Sequence, residues 1–156
     1  MADQGTPEAN LAAIGLMLPP APSPAGNYVS AKQVGEFLYL SGVISSDANG
    51  VITGTAGLDR SVEEGYAAAR ACALTLLAVL KRDLGALDRV AEVVAVNGYV
   101  SAAPGFGDSP AIVNGASDLL AKVFGEAGRH VRAALGVSAL PRNALVEVQM
   151  TVRVKA

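Results

Sequence analysis

The sequence predicts an α+β fold, one mixed sheet with two helices packed on one of its faces. Three observations carry this expectation. Apolar alternation gives way to helical spacing and returns, in the order ββ-α-β-α-ββ. Two helix starts are written in local chemistry, "SVEE" at 61–64 and Ser109-Pro110. A chain of 156 residues suits a single core.

Each element has its own signal. Residues 1–10 are polar and expected to fray, and "LAAIGLML" (11–18) reads as a short helix or a docked extended arm. "PPAPSPAGN" (19–27) holds four prolines and cannot form a regular helix. We therefore assign 1–24 to an N-terminal arm and 25–156 to one domain. "YVSAKQVGEFLYLSGVI" (28–44) alternates and reads as a hairpin turning near Gln33-Val34-Gly35. Residues 45–57 read as loop, with a turn at Asn49-Gly50. The Ser61–Glu64 capping box opens a heavily buried helix that runs to Gly85, with Lys81 and Arg82 near its negative end. A long strand follows over 88–101. Ser109 as N-cap and Pro110 as first residue open a second helix, to about 124, which "GEAG" ends. Strands near 131–137 and 145–154 close the chain, joined by a turn at Pro141-Arg142-Asn143. With both helices on one side, the other sheet face is left bare; its pattern also reads as apolar, which predicts association.

Composition narrows the function. The net charge is -2 and the cations are scattered, so no basic stripe exists to neutralise a nucleic-acid backbone. No apolar run is long enough to span a bilayer, and the N-terminus carries acids where a signal peptide needs cations, so a cytoplasmic protein is expected. His130 and Cys72 are the only residues of their types, which makes a Cys/His metal site within one chain improbable; no metal is expected. Cys72 lies in the Ala-rich helix and reads as a buried, inert thiol. P-loop, dinucleotide and nucleophile-elbow patterns are lacking.

Arg132 and Glu147 stand out, because each places a charge inside an apolar strand, where an unpaired ion is costly. Two readings stay open: a structural one, as a cross-strand ion pair or as side chains turned outward at a sheet edge, or a carboxylate site. In the second, the planar fork of Arg132 holds a carboxylate and Glu147 orients a water or relays protons. The tight turn between their strands predicts that the two strands are neighbours, with the shared face left to the register. His130 reads as structural.

Four segments, "YVSAKQVGEFLYLSGVI", "VNGASDLL", "HVRAALGVSALP" and "LVEVQMTV", resemble the reactive intermediate deaminase family, also called the YjgF or L-PSP family, over about 25–154. Arg132 to Leu140-Pro141 is similar to its R-x-x-x-x-V-x-x-L-P signature, and Glu147 to the glutamate of its last strand. The "GRHVRAALGV" form resembles a longer branch of the family. The resemblance implies a chorismate mutase-like fold of the bacillary type and a homotrimer with its sites in the clefts between subunits. It implies hydrolysis of reactive 2-enamino or 2-imino acids to 2-keto acids and ammonia, with no cofactor. By the same resemblance Arg132 clamps the substrate carboxylate and Glu147 positions the water. Tyr28 lines the cleft, Ser41 and Gly42 bound the pocket, and Asn114 contacts the substrate from the second subunit's side. The pattern departs at His130-Val131, where the typical branch has Pro-Ala, at Ala134, where it has a cysteine, and at Gln149, where it has an acid. A trimeric protein that binds small 2-keto acids with little catalysis is the alternative; ribonuclease activity, the family's older description, fits the acidic chain least.

Overall fold

The computed structural model describes residues 5–156; the first four residues of the arm, and with them part of the expected frayed segment, lie outside the described residues. The hairpin is β1 (Ala31–Val34) with β2 (Phe37–Leu40). Val34 pairs with Phe37, so the turn is Gly35-Glu36, one step later than expected, and Gly35 supplies the left-handed φ of 61° that it requires. The short β3 (Val43–Ile44) follows. The expected 45–57 loop contains a minor hairpin, β4 (Ser46–Asp47) and β5 (Gly50–Val51). Its turn centres on Ala48-Asn49 because the Asp47 carboxylate accepts the Asn49 N–H at 2.8 Å.

Helix α2 (Val62–Leu84) begins with the predicted capping box. Glu64 N–H donates to Ser61 Oγ at 3.1 Å and Ser61 N–H donates to Glu64 Oε2 at 2.8 Å. The long β6 (Val90–Ser101) leads to α3 (Ser109–Phe124), whose N-cap is Asp108 rather than Ser109. Pro110 thus occupies the second helical position, where no N–H is needed. β7 (Val131–Val137) and β8 (Val146–Val154) complete the sheet.

The main sheet runs β1-β2-β8-β6-β7, with β3 also on β8; only β6 and β7 are parallel. Both long helices cover one face. Leu76, Leu77 and Leu80 of α2, Ile112 and Leu120 of α3, Val96 and Val100 of β6 and Met150 of β8 are fully buried between them. Leu, Ile, Val and Ala fill this core, and burying each large side chain contributes roughly 1.5–3 kcal/mol.

The sheet order corrects one expectation. β7 and β8 are not neighbours: each pairs with β6, which runs between them. The chain from β7 crosses β6 before it descends β8, and the turn at Pro141–Asn143 is part of that crossing. The bare face is also less apolar than expected. Strand β8 presents Glu147, Gln149, Thr151 and Arg153 there, half-buried, while exposed Phe37, Tyr39, Val131 and Leu135 flank them. Charged centre and apolar margins share one surface.

The arm begins with a helix, α1 (Pro7–Ala13), not at 11–18. Thr6 Oγ1 accepts the Ala9 N–H and Pro7 stands in the first turn, a start that outweighs the polar character of 5–10. The arm is held by specific bonds. Asn10 Nδ2 donates to the Val123 carbonyl at 2.9 Å, Leu87 N–H donates to Glu8 Oε1 at 2.8 Å, and Arg82 donates to the Pro22 carbonyl at 3.1 Å.

Candidate functional site

The helix-covered face and the open face of the sheet each hold part of the predicted site. On β6, a methyl at Gly98 would lie 2.5 Å from Val113 of α3, so Gly98 and its i±2 neighbours Val96 and Val100 face the helices. Arg132 pairs with Val96 and therefore points the same way. Glu147 pairs with Tyr99, which points to the open face. Within one chain the two charges thus lie on opposite sides of the sheet, with β6 between their strands. The cross-strand ion pair between them does not form among the described residues, whereas Arg132 does lie exposed at a sheet edge, as the other form of the structural reading expects.

Arg132 is exposed on edge strand β7 and reaches onto α3. Its Nη1 donates to Asn114 Oδ1 at 2.8 Å and to Ser117 Oγ at 3.1 Å; its Nη2 approaches the Pro110 carbonyl at 3.5 Å. No carboxylate pairs with it among the described residues. Asn114 and Ser117 are i and i+3 on the helix and so share its face toward β7. Asn114 thus supports Arg132 from within the same chain. An open groove of about 290 Å³ adjoins, lined by Ser117, Asp118, Gly128, Arg129, His130 and Arg132 among others. His130 is half-buried, and burial, followed by the nearby Arg132 charge, lowers its pKa below the usual 6.5. Ala134, two residues after Arg132, points to the same side and packs on the core, adding no polar atom.

The other half gathers Glu147, Gly42, Ser41 and Tyr28. Ile44 of β3 pairs with Glu147, and the chain just before it passes across that carboxylate. A methyl at Gly42 would lie 2.9 Å from Glu147 Oε2, so only glycine leaves the carboxylate its place. Burial raises the Glu147 pKa above the ordinary carboxyl value, and no hydrogen bond occupies its oxygens among the described residues. Ser41 Oγ donates to the Val29 carbonyl at 2.7 Å, which ties the strand end to the segment carrying Tyr28. A narrow cavity of about 30 Å³ lies between the proline arm and Tyr28, Ser30, Ser41, Gly42 and Val43. Half of Tyr28 is exposed, and its hydroxyl accepts the Ala25 N–H at 3.2 Å. Beside Glu147, Gln149 donates to the Leu40 carbonyl and accepts from Asn97, so the position where an acid was expected carries a neutral, fully engaged amide.

Cys72 takes no part in either half. It is fully buried under the sheet, its thiol donates to the Val146 carbonyl at 3.7 Å, and burial pushes its pKa far up, with the Glu147 charge adding to the shift. The chemical reading of the whole is a cation aimed outward on one face and, on the other, a carboxyl with a raised pKa and no hydrogen-bond partner among the described residues. Ser117 was not singled out in the sequence. Its signal was present as a second polar residue, three after Asn114, on a helix otherwise buried at Val113, Gly115 and Ala116.

The model of the "YjgF/chorismate mutase-like, putative endoribonuclease" family matches residues 8–154. Protein TCP17 of Trypanosoma cruzi is 47% identical over 150 residues, covering 95% of this chain and 94% of that protein. A 2-iminobutanoate/2-iminopropanoate deaminase of Dermatophagoides farinae is 33% identical over 136 residues, covering 86% and 91%. Among solved structures, the protein Atu1372 of Agrobacterium tumefaciens, of unknown function, superposes with a TM-score of 0.89 at 37% identity, covering 98% of this chain and 94% of that one.

Proposed function

The chain belongs to the YjgF/chorismate mutase-like family, and we propose that it hydrolyses small reactive 2-imino and 2-enamino acids to 2-keto acids and ammonia. The observation that carries this reading is Arg132, an arginine without a carboxylate partner, braced by Asn114 and Ser117 at the rim of an open groove. Its remaining N–H edge matches a carboxylate bidentately. Because Glu147 lies on the opposite face, a complete site needs two chains, and a homotrimer with clefts between subunits provides three. The deaminase activity in the name of the Dermatophagoides farinae relative supports the same reaction.

The chemistry follows from the groups. Arg132 binds the substrate carboxylate. A protonated imine carbon is already electrophilic, so a water held about 3 Å from it is close enough to attack. Glu147 takes a proton as the C–O bond forms and the C=N electrons pass to nitrogen. It returns the proton to nitrogen; as the C–N bond breaks, the hydroxyl oxygen forms the C=O bond and gives its proton through Glu147 to the departing ammonia, which leaves the keto acid and ammonium. Burial raises the Glu147 pKa, which makes its carboxylate a better proton acceptor, and the acid so formed gives the proton back. No cofactor enters these steps. The net charge of -2, with scattered cations, favours this reaction over cleavage of RNA.

Ala134 gives one specific reason to weigh a second reading. With no thiol beside Arg132, a trimer that only binds 2-keto acids would need nothing more than the clamp. A coupled assay separates the two. A pyridoxal-phosphate lyase generates 2-aminoacrylate or 2-iminobutanoate, keto-acid release is followed, and 2-oxobutanoate binding is measured by calorimetry. Wild type is expected to accelerate release. Arg132→Ala should lose both turnover and binding, and Glu147→Gln should lose turnover, by about 100-fold or more, while it still binds. Binding without acceleration in wild type would favour the second reading, and neither would reject both.

A further inference from the structure

Behind Arg132 and its Ser117 brace the hydrogen bonds continue to His130, which the proposed reaction does not itself use. His130 Nδ1 is 2.7 Å from the Gly128 carbonyl and its Nε2 is 2.9 Å from Ser117 Oγ, which in turn accepts from Arg132 Nη1 at 3.1 Å. The directions are forced. A carbonyl only accepts, so His130 carries its proton on Nδ1; a guanidinium only donates, so the Ser117 hydroxyl hydrogen points elsewhere. The lone pair on Nε2 is its acceptor. The relay therefore runs Arg132 N–H to Ser117 Oγ, Ser117 O–H to His130 Nε2, and His130 Nδ1–H to the Gly128 carbonyl.

Resting on the reading of Arg132 as carboxylate clamp, we propose that Ser117 and His130 are positioning residues that fix which edge of the Arg132 guanidinium meets the substrate. Both hydrogens of Nη1 are taken, one by Asn114 and one by Ser117. Nη2 has only the long 3.5 Å approach to Pro110, and Nε has no partner among the described residues. The Nε–Nη2 edge is left as the bidentate donor pair, and it cannot be exchanged for the Nη1–Nη2 edge without breaking one of these two Nη1 bonds. His130 acts on this through Ser117. By taking the hydroxyl hydrogen it turns the oxygen lone pairs toward Arg132, and the Gly128 carbonyl locks the tautomer that permits this. Gly128 lies between α3 and β7, so the brace spans the joint between the helix and the strand that carry the site.

Two measurements test the proposal. The first is independent of any activity: nitrogen NMR of imidazole-labelled wild type at neutral pH. A protonated Nδ1 and an unprotonated Nε2 are expected, with the Nε2 resonance shifted in Ser117→Ala. An Nε2–H tautomer or an imidazolium would overturn the relay. The second is calorimetric binding of 2-oxobutanoate and steady-state kinetics on 2-iminobutanoate. Ser117→Ala and His130→Ala are expected to weaken keto-acid binding about tenfold, with the loss appearing in KM more than in kcat. Ser117→Thr, which keeps the hydroxyl, should restore it. Wild-type affinity in Ser117→Ala would overturn the positioning role. If Arg132→Ala alone leaves binding and turnover untouched, the clamp reading fails, and the positioning role that rests on it is overturned too, whatever the NMR shows.

Discussion

Gly42 has room for a hydrogen and nothing larger on the side that faces Glu147. Its backbone is not in the left-handed region, so alanine is conformationally allowed there, and what must yield is the flexible glutamate side chain 2.9 Å away. Gly42→Ala is therefore expected to leave the fold intact and displace the carboxyl. A displacement near 1 Å is enough to cost on the order of 100-fold in rate. Turnover should fall while the thermal midpoint stays near wild type; unchanged turnover would remove Glu147 from the water-holding role. His130 gives a prediction in pH. Its folded pKa lies below the ordinary 6.5, so the unfolded chain takes up the proton first. Its contribution to stability is complete above 6.5 and is lost as pH falls from there through the lowered value. Burial is the main cause and the Arg132 charge adds to it, against the hydrogen bond to the Gly128 carbonyl; Arg129 and Asp118 line the same groove. Thermal denaturation from pH 8 to 5 should show wild type losing stability below 6.5 more steeply than His130→Asn. Parallel curves would show that the ring titrates alike in both states.

Helix α3 has two tasks at the scale of an element, to pack on α2 and to hold Arg132. They share adjacent residues, Gly115 on one face and Asn114 with Ser117 on another. A methyl at Gly115 would overlap the Tyr66 carbonyl of α2, backbone that cannot move aside as a side chain can. Gly115→Ala should cost on the order of 1–3 kcal/mol, as overpacking does, read as a lower urea midpoint. It should also weaken keto-acid binding by shifting Asn114 and Ser117 off Arg132. Loss of stability with full binding would show that the two faces are uncoupled. The elements themselves were largely legible in the sequence, for local reasons. Ser61 and Glu64 cap α2 by chemistry three residues apart, and alternation marks β6 and β8. Misplaced ends have local causes as well, such as Thr6-Pro7 starting α1 early and Asp108 taking the cap from Ser109. What could not be read was the pairing of distant elements. "HVRAALGV" and "LVEVQMTV" are close in sequence, yet β6 separates them, because a strand following a helix returns in parallel to the strand before it. That one pairing decides which face Arg132 takes. Arg132 and Glu147 were legible as an anomaly of charge in apolar strands, and Ser117 was missed because its spacing of three from Asn114 gains a meaning only when β7 is set beside that face of α3.

For the whole molecule, the separation of Arg132 and Glu147 by the sheet turns the question of activity into one of assembly. A lone chain holds Arg132, the proposed carboxylate clamp, on its helix-covered side and Glu147 on its open side, so one substrate cannot touch both. The open face has apolar margins at Phe37, Tyr39, Val131 and Leu135 around a polar centre, a surface suited to burial against copies of itself. In the proposed trimer each cleft takes Arg132 from one chain and Glu147 from the next. This makes a sharp prediction for mixtures. Arg132→Ala and Glu147→Gln are each inactive, since every cleft of either homotrimer lacks one group. Co-refolded in equal amounts, they scramble into mixed rings, and each mixed ring of cyclic symmetry holds one cleft with both groups intact. Random assembly then restores about a quarter of the wild-type sites. Recovery near that fraction, dependent on co-refolding and absent on mixing stable trimers, would place the two residues in different chains of one site. No recovery, with sedimentation showing mixed trimers, would mean that Arg132 and Glu147 do not serve a common substrate, and the clamp would then have to work without the carboxyl on the far side of the sheet.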